Sequence, residues 1–374
     1  MMSLKTKEIR EWIALSTVEG VGPKRFISLV NRLGTPRKVL SASLETLAEI
    51  PDVGKEVARK VKEKVKWQIA DEQLKLLEKY STKAGGEIKF ITYKDPTYPA
   101  NLKNIYDPPP FLYLKGELKK DDHKALAIVG TRRASSYGKN VAEKLASELT
   151  RRGVTIVSGL ARGIDSIGHL SALKEKGRTV AVLGSGLDVM YPQEHTPLAK
   201  KIAENGAVIS EFLLGTKPLA ENFPKRNRLI SGLSLGVIII EAPKKSGALL
   251  TAECALDQGR EVFAVPGNIG SKRSEGTNAL IKKGATLVTS VDDILSELKG
   301  VLTLPSEREM SKLQTDLSRE EKRIFSLLSL EPNHIDKIAK ESDFKIPQVL
   351  SVLLSLELKG LVRQLSGKMF VRTL

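Results

Sequence analysis

The chain has 374 residues, with 60 Lys or Arg against 44 Asp or Glu, so its formal net charge at pH 7 is +16. That charge favours a polyanionic partner, above all a nucleic acid, although a generally basic protein is the alternative. The single cysteine, Cys254, excludes an internal disulfide and a cysteine-based metal site, and the four histidines lack metal-ligand spacing. No apolar run approaches the roughly 20 residues that span a bilayer, and the N-terminus has no signal-peptide core. We therefore expect a cytoplasmic protein without a metal, long enough for two or three domains.

Residues 1–80 are predicted to form a small helical domain with two helix-hairpin-helix motifs. Val18–Arg25 (VEGVGPKR) places two glycines between helical segments, and Pro23 stands at a helix start, where its missing N–H costs little. Ile50–Val61 (IPDVGKEVARKV) repeats the pattern with one glycine only, which leaves the second hairpin in doubt. Hairpin amides and neighbouring cations of such motifs contact phosphate without reading sequence, whereas a purely packing domain is the alternative. The neighbouring cations are Lys24, Arg25, Lys55 and Arg59.

Residues 81–118 are predicted to be an ordered connection that adds a strand at Phe111–Leu114. Three consecutive prolines, Pro108–Pro110, exclude a helix immediately before that strand. The segment is also rich in aromatic residues, which favours a packed connection over a flexible linker.

Residues 81–300 are predicted to form an α/β domain with a Rossmann-like, doubly wound, mostly parallel sheet. Its first three strands are continuous apolar runs that end at Gly130, Gly159 and Gly184, and helix-like segments follow them. Continuous apolar runs alternating with helices are typical of parallel strands that are covered on both faces. The later predicted strands are Ala207–Glu211, Gly236–Ala242, Glu261–Pro266 and Thr286–Thr289.

The ends of these strands predict a phosphate-binding crevice. The carboxyl ends of parallel strands share one edge of the sheet, where ligands bind beside helix N-termini that favour anions. Glycines allow close approach there, and the same turns contain Arg132, Arg133 and Arg162.

A second basic stretch, Glu221–Ser234 (ENFPKRNRLISGLS), is predicted to contribute to the crevice. Helical spacing cannot put Lys225, Arg226 and Arg228 on one face, but two of them could point into the crevice from a helix start. Phe223 would then offer a stacking surface, and an aromatic ring beside phosphate-binding cations is typical of single-stranded nucleic-acid sites. The alternative is that Phe223 is a core residue and the arginines form surface ion pairs.

The sequence carries no recognisable catalytic set. It lacks a P-loop, and GTRRAS stands where a dinucleotide site would have GxGxxG, so no nucleotide cofactor is expected. His169 is interpreted as a packed residue, and Asp165 and Asp188 as turn or capping residues. Glu211 and Glu241 each end a strand, and we expect both to pair with Arg or Lys.

Residues 316–374 are predicted to form a winged helix. Ser318 and Glu321 have capping-box spacing at the first helix start, and two further helices are predicted before a two-stranded wing with a Ser366-Gly367 turn. The two helices are Asn333–Lys340 and Pro347–Lys359, and the wing is Leu361–Val371. The third helix carries a single cation, whereas Arg363, Lys368 and Arg372 lie in the wing. A protein-interaction role is therefore favoured over reading DNA.

Seven motifs in order along the α/β domain resemble the DNA-processing protein A (DprA/Smf) family. They are IVGTRRASSYG, SGLARGIDSIGH, VLGSGLDVMYP, FPKRNRLISGLS, EAPKKSGALLTAE, GREVFAVPG and EGTNALIKKGA. The resemblance implies an extended Rossmann-like domain that binds single-stranded DNA without a cofactor or known catalysis and that forms a homodimer. It further implies that the protein loads RecA recombinase onto incoming DNA in natural transformation and displaces single-strand-binding protein.

Transferred motif by motif, the resemblance implies a set of DNA-binding residues. They are Gly130, Arg132, Ser158, Gly159, Arg162, Arg178, Gly184, Phe223, Lys225, Arg226, Asn227 and Arg228. Arg178 stands where many members have lysine; either cation can neutralise a phosphate, but with different hydrogen-bond geometry.

Two other functions remain open on the sequence. The first is a nucleotide phosphoribohydrolase with a related sheet, whose PGGxGTxxE motif is here replaced by KKSGALLTAE, with Thr251 and Glu253 retained. The second is an interaction scaffold that binds proteins and no DNA.

Overall fold

The computed structural model describes residues 4–81, 87–299, 317–328, 333–358, 361–365 and 367–372. The chain divides into two compact units, Met1–Thr303 and Leu304–Leu374. Within the described ranges, no helix combines the length and the apolar composition needed to cross a membrane.

The first unit begins with a bundle of short helices. Between residues 4 and 81 these are α1 (Leu4–Ser16), α2 (Pro23–Leu33), α3 (Pro36–Ser41), α4 (Leu44–Ala48), α5 (Gly54–Glu63) and α6 (Trp67–Ser81). Trp12 and Phe26 stack at 5.2 Å between ring centroids in the core of the bundle. Pro23 is the first residue of α2, as its missing N–H predicts.

Both predicted hairpins form, including the one that lacks a glycine. Asp52 stands where the first hairpin has Gly20, and both adopt left-handed backbone, with φ of +68° and +87°. Aspartate tolerates this conformation better than most residues, so the missing glycine is replaced. Arg25 joins the two hairpins by donating to the backbone oxygens of Gly20 at 2.8 Å and Asp52 at 2.6 Å.

The remainder of this unit is built on a nine-stranded sheet in the order β1-β2-β6-β5-β4-β3-β7-β8-β9. The strands are β1 (Lys89–Thr92), β2 (Phe111–Gly116), β3 (Ala125–Val129), β4 (Thr155–Ser158), β5 (Thr179–Val182), β6 (Ala207–Ser210), β7 (Gly236–Ile239), β8 (Glu261–Ala264) and β9 (Thr286–Leu287). The seven strands β3 to β9 all pair in parallel, and β2 pairs antiparallel with both β6 and β1. The doubly wound, mostly parallel sheet predicted from the apolar runs is confirmed.

Helices cover both faces of the sheet. They are α7 (Ala100–Lys103), α8 (Ser136–Arg151), α9 (Ile164–Lys174), α10 (Thr196–Asn205), α11 (Asn222–Leu233), α12 (Gly247–Asp257), α13 (Glu275–Lys282) and α14 (Val291–Glu297), with 3₁₀ turns at Lys120–His123 and Gln193–His195. Neighbouring residues of β6 belong to different cores: Val208 packs with α10 and the N-terminal helices, whereas Ile209 packs with α11 and α12. This alternation explains why the parallel strands are apolar at every position.

The N-terminal helices are bonded directly to the sheet. The side chain of Gln73, on α6, is 5% exposed. Its amide nitrogen donates to the Leu214 carbonyl at 3.0 Å, and its amide oxygen accepts from the Leu214 N–H and the Tyr113 hydroxyl, both at 2.8 Å. These buried bonds fix the segment that follows β6 against α6.

The second unit is a winged helix. Its elements are α15 (Arg319–Leu327), β10 (Asn333–His334), α16 (Ile335–Ser342), α17 (Ile346–Leu358), β11 (Val362–Leu365) and β12 (Met369–Arg372). The predicted capping box is confirmed: Ser318 N–H donates to Glu321 Oε2 at 2.7 Å, and Glu321 N–H donates to Ser318 Oγ at 3.2 Å.

The predicted two-stranded wing forms, since β11 pairs with β12, and Asn333 and His334 add a third strand to it. They precede α16 in extended backbone and pair with Phe370 and Met369 of β12. The helix predicted to start at Asn333 therefore begins at Ile335. A strand of two residues has no periodicity to detect in a sequence. Of the turn residues, Gly367 is described and Ser366 lies outside the described residues, as do the side chains of Arg363 and Arg372.

Candidate nucleic-acid interface

A crevice opens where strands β3, β4, β5 and β7 end. The chain winds from β3 outward to β6 and returns to place β7 on the other side of β3, so the winding direction reverses at β3. Ligands of doubly wound sheets bind at such a reversal. The cavity there has a volume of about 310 Å³, and its lining includes Gly130, Arg132, Asp165, Phe223, Arg226 and Asn227.

Phe223 lies between two arginines in this crevice. The guanidinium carbons of Arg132 and Arg226 are 5.3 Å and 5.9 Å from its ring centroid. The ring of Tyr191 packs beside it, with centroids 5.7 Å apart. Gly184 makes room for the ring, because a Cβ at that position would lie only 2.9 Å from Phe223 Cδ1. Phe223 is half-buried and lines the crevice, so it is not a closed core residue.

Arg226 is a fixed positive charge in the wall of the crevice. Its guanidinium is 4% exposed and donates to the carbonyl oxygens of Gly159, at 2.7 Å, and Val182. Gly159 is required for this approach, since a Cβ there would lie 2.2 Å from Arg226 Nη1. Burial lowers the pKa of Arg226 to about 10, which keeps the side chain charged at neutral pH.

The buried polar groups beside Arg226 are only partly satisfied. Asp165 is buried and accepts from the Gly159 N–H at 3.2 Å, and burial raises its pKa despite the nearby guanidinium. Arg226 Nε, in contrast, has no hydrogen-bond acceptor among the described residues. A buried donor without an acceptor is costly, so this arginine is held in the wall of the crevice at some expense of stability.

Arg132 and Arg162 supply the accessible charge at the rim. Both side chains are exposed, and both line the part of the crevice next to Phe223 and Tyr191. Arg162 pairs with Glu194, and the two side chains remain 61% and 50% exposed. An ion pair that is so open to water contributes little stability, so Arg162 can exchange Glu194 for a phosphate.

The three cations of α11 do not act together. Lys225 is exposed and lies 4.0 Å from Glu221, Arg226 lines the crevice, and Arg228 points elsewhere. Arg228 donates to the Asp107 carbonyl at 2.6 Å and pairs with Glu211. Two of these cations were expected to point into the crevice, but of the three only Arg226 is among its lining residues. The expected pairing of Glu211 with a cation is confirmed by Arg228. Burial raises the pKa of Glu211 to about 7.

Arg178 lies at the opposite edge of the sheet, so grouping it with the crevice is wrong. It precedes Thr179, the first residue of β5, and the first residues of parallel strands lie farthest from the strand ends. Its guanidinium donates to both Asp122 carboxylate oxygens at 2.8 Å and to the Glu117 carbonyl at 2.9 Å. Ser158 does lie at a strand end, but its hydroxyl is fully buried and donates to the Ile128 carbonyl at 2.6 Å.

Replacing Arg178 by alanine is expected to cost stability and leave nucleic-acid affinity unchanged. Asp122 would lose both bonds from a pair whose side chains are 17% and 9% exposed. Breaking a buried pair in this way costs about 3 kcal/mol. Urea unfolding and oligonucleotide titration of the folded variant would separate the two effects, with Arg151→Ala as the exposed-arginine control. A loss of affinity confined to Arg178→Ala would return this residue to the binding site.

The sequence reasoning missed three further residues that line the crevice, Tyr191, Lys245 and Ser246. Ser246 caps α12 by accepting from the Ala248 N–H at 3.3 Å, and Asn227 Nδ2 ties α11 to α12 through the Gly247 carbonyl at 3.2 Å. The signal for Lys245 and Ser246 was available, because PKKSG follows the end of β7 as the arginine turns follow β3 and β4.

The other candidate chemical groups have structural roles. His169 is fully buried with Nδ1 2.6 Å from Thr179 Oγ1, and burial lowers its pKa to about 3, which confirms the packed interpretation. Asp188 accepts from the Gly215 N–H at 2.8 Å, a bond between segments far apart in the sequence and not the local turn or capping bond expected for it. Glu241 accepts from the Ser135 N–H at 2.9 Å at the start of α8, so its expected pairing with a cation is wrong. The described residues contain no cluster of His, Cys, Asp or Glu that could hold a metal ion.

Three family models match the chain. DNA recombination-mediator protein A matches residues 89–299, the DprA winged helix domain matches residues 308–368, and the SAM-like helix-hairpin-helix tandem matches residues 13–66. The chain belongs to the DNA recombination-mediator protein A family. The match spans the whole sheet domain and thus every residue of the crevice described above.

Similar proteins cover most of the chain. Protein Smf of Synechocystis is 35% identical over an alignment that covers 96% of this chain and 98% of that protein. Protein Smf of Escherichia coli is 44% identical over 275 residues, or 72% and 74% of the two chains. DNA processing protein DprA of Bacillus subtilis is 45% identical over 212 residues, or 56% and 71%.

Two solved structures share the fold and the family. DNA processing protein A from Streptococcus pneumoniae is 35% identical, with a TM-score of 0.64, and the match covers 79% of this chain and 99% of that one. DNA processing protein A from Helicobacter pylori is 32% identical, with a TM-score of 0.51 over 57% of this chain and 98% of that one. The Helicobacter structure is described by its single-stranded DNA binding mode.

Proposed function

We propose that this chain binds single-stranded DNA in the crevice at the strand ends. The observation that carries the proposal is Phe223, held half-buried between Arg132 and Arg226 where the sheet reverses its winding. Cations beside an aromatic ring bind the backbone and stack the bases of a single strand. The single-stranded DNA binding of the Helicobacter pylori relative supports the same ligand for this chain.

The arrangement favours a single strand over a duplex, with little sequence preference. A base can reach the ring of Phe223, beside Gly184 and Tyr191, only after it has left a duplex stack. The cations of the rim are suited to phosphates, and phosphate contacts position a strand without specifying its sequence.

We further propose that the bound strand is passed to RecA recombinase, with displacement of single-strand-binding protein, by a homodimer formed through the sheet domain. The family description as a recombination mediator supports this role. In natural transformation the protein would protect incoming DNA until the recombinase covers it.

We propose no catalytic role for the crevice. A phosphoribohydrolase would need Thr251 and Glu253 in one nucleotide site. Thr251 lines the cavity, but Glu253 is exposed and is not among the residues that line it. The carboxylates at this edge, Asp165 and Glu241, already accept hydrogen bonds from backbone N–H groups. Release of free base from a nucleoside monophosphate would support the enzyme instead.

Fluorescence anisotropy with a labelled single-stranded oligonucleotide tests the proposal directly. We expect unlabelled single strands of unrelated sequence to compete equally and duplex to compete weakly. Neutralising roughly 4–5 phosphates should give a slope of about −3 for log K against log salt. No binding at low salt would favour the interaction scaffold, and equal competition by duplex would exclude the crevice as the main site.

A further inference from the structure

Tyr106 presents an exposed aromatic ring at the junction between the N-terminal helices and the sheet domain. The side chain is 74% exposed, yet its hydroxyl is bonded to Lys24 Nζ at 2.7 Å. Lys24 also pairs with Asp52, whose carboxylate oxygen lies 3.1 Å from the same nitrogen. The ring is therefore bonded through its hydroxyl while most of its surface stays open to solvent.

Lys24 Nζ lies 4.6 Å from the centroid of this ring, and two further lysines, Lys94 and Lys103, lie on neighbouring segments. Lys24 and Asn31 are seven residues apart on α2, so they share one face of that helix at a separation of roughly 10 Å along the axis. Asn31 Oδ1 accepts from Lys94 Nζ at 3.1 Å, and Lys103 Nζ lies 5.4 Å from the ring centroid of Tyr93. The junction between α2 and the segment before β2 is thus a positively charged strip.

The strip lies next to α11, the helix that also carries Phe223. Asp107, the residue after Tyr106, accepts from Arg228 at 2.6 Å through its carbonyl oxygen. Arg228 follows Phe223 by five residues, which is roughly 8 Å along the helix axis. The same guanidinium pairs with Glu211, the first residue after β6, so this contact lies at the edge of the sheet where the crevice opens.

The first hairpin lies at that edge as well. Val21 and Pro23 line a groove together with Phe212 and Leu213, which follow the end of β6. Lys24, the next residue after Pro23, therefore stands on the side of the molecule where the strands end. A strand leaving the crevice meets this region without crossing the sheet.

We propose that Tyr106 is a second stacking residue for the DNA strand, outside the crevice, with Lys24 and Lys103 beside the phosphates. This inference rests on the proposed function. Every base has a face that can stack on an aromatic ring, so the contact adds affinity without sequence preference.

The test compares two oligothymidines, of roughly 6 and 20 nucleotides, the shorter able to fill the crevice only. Stacking of one base is worth about 1–3 kcal/mol, so Tyr106→Leu is expected to weaken binding of the longer strand about tenfold. Binding of the shorter strand should be unchanged. Tyr106→Phe keeps the ring and should retain most of the affinity for both strands.

Two lysine variants provide a matched pair. Lys24→Ala should weaken binding of the longer strand, whereas Lys60→Ala should not. Both lysines belong to a hairpin motif and pair with an acidic side chain, in the case of Lys60 with Glu56 at 3.2 Å. Photocrosslinking of a 5-iododeoxyuridine strand to residue 106 would give a readout independent of affinity.

The outcomes separate this inference from the proposed function. Equal weakening of both strands by Tyr106→Leu, or weakening of neither while Arg132→Ala weakens both, would overturn the stacking role and leave the crevice in place. If the wild-type protein binds neither strand, both the inference and the proposed function fail.

Discussion

The double substitution Arg132→Ala/Arg162→Ala is expected to lower affinity for single-stranded DNA about one hundredfold. Both side chains are exposed at the rim, and each would make a charge-assisted hydrogen bond to a phosphate, worth about 1.5–3 kcal/mol. Losing two such bonds at the lower figure costs about 3 kcal/mol, and each 1.4 kcal/mol is tenfold in affinity. The salt slope should become shallower by about 0.7 for each phosphate that the variant no longer neutralises.

The control removes two positive charges elsewhere in the same domain. Arg151 and Lys174 each form an exposed ion pair, with Glu175 at 3.4 Å and Glu143 at 3.2 Å. Arg151→Ala/Lys174→Ala has the same change in net charge, and we expect near wild-type affinity measured by anisotropy at fixed salt. An equal loss in both double variants would mean that general charge, and not the crevice, holds the DNA.

Replacing Arg226 by methionine is expected to lower the free energy of unfolding by about 3–5 kcal/mol. The substitution leaves Asp165 as a buried carboxylate without a nearby cation, and the Gly159 and Val182 carbonyls lose their donor. Urea unfolding followed by circular dichroism measures the change. Lys225→Met, on the neighbouring exposed residue, should shift stability by no more than about 0.5 kcal/mol.

The pH dependence distinguishes an unpaired charge from poor packing. Burial already raises the pKa of Asp165, and loss of Arg226 would raise it further. The folded variant then holds a proton that the unfolded chain releases above its ordinary pKa, near 4. Because this pKa is already raised in the wild type, the deficit should be constant at low pH and grow only as the pH rises past the raised wild-type pKa toward 7. A deficit that stays constant up to about pH 7 would point to packing alone.

The sheet and its crevice could be predicted because the relevant signals are local and continuous. A short, continuous apolar run is typical of a parallel strand that is covered on both faces. Ala125–Val129 is such a run, and it is buried at every position. Once the strands are parallel, their ends must share an edge, which brings together turns such as those of Arg132 and Arg162. The predicted placement of both arginines at the crevice agrees with the structure.

The orientation of individual side chains could not be predicted in the same way. The helix containing Phe223 begins at Asn222, and the start of a helix decides which of its residues face a crevice. Arg228 is removed from the crevice by Glu211, a residue far from it in sequence. Arg178 was placed by its resemblance to a family position, although it stands before a strand and not after one.

Two short features could not be predicted from their own sequence. Asp52 provides the left-handed backbone of the second hairpin at a position where the helix-hairpin-helix pattern has glycine. The short strand Asn333–His334 is defined by its partner β12 and not by its own composition. Both features depend on a few residues whose conformation is fixed by contacts from elsewhere in the fold.

The three buried hydrogen bonds of Gln73 have a consequence for how the protein can be divided. A fragment that starts after α6 would leave the Leu214 N–H, the Leu214 carbonyl and the Tyr113 hydroxyl without the partner that satisfies them. Leu214 lies in the segment that leads from β6 to Asn222, where the helix of the crevice begins. The helical bundle thus supports the segment that leads to the crevice, and removing it is expected to destabilise the sheet domain.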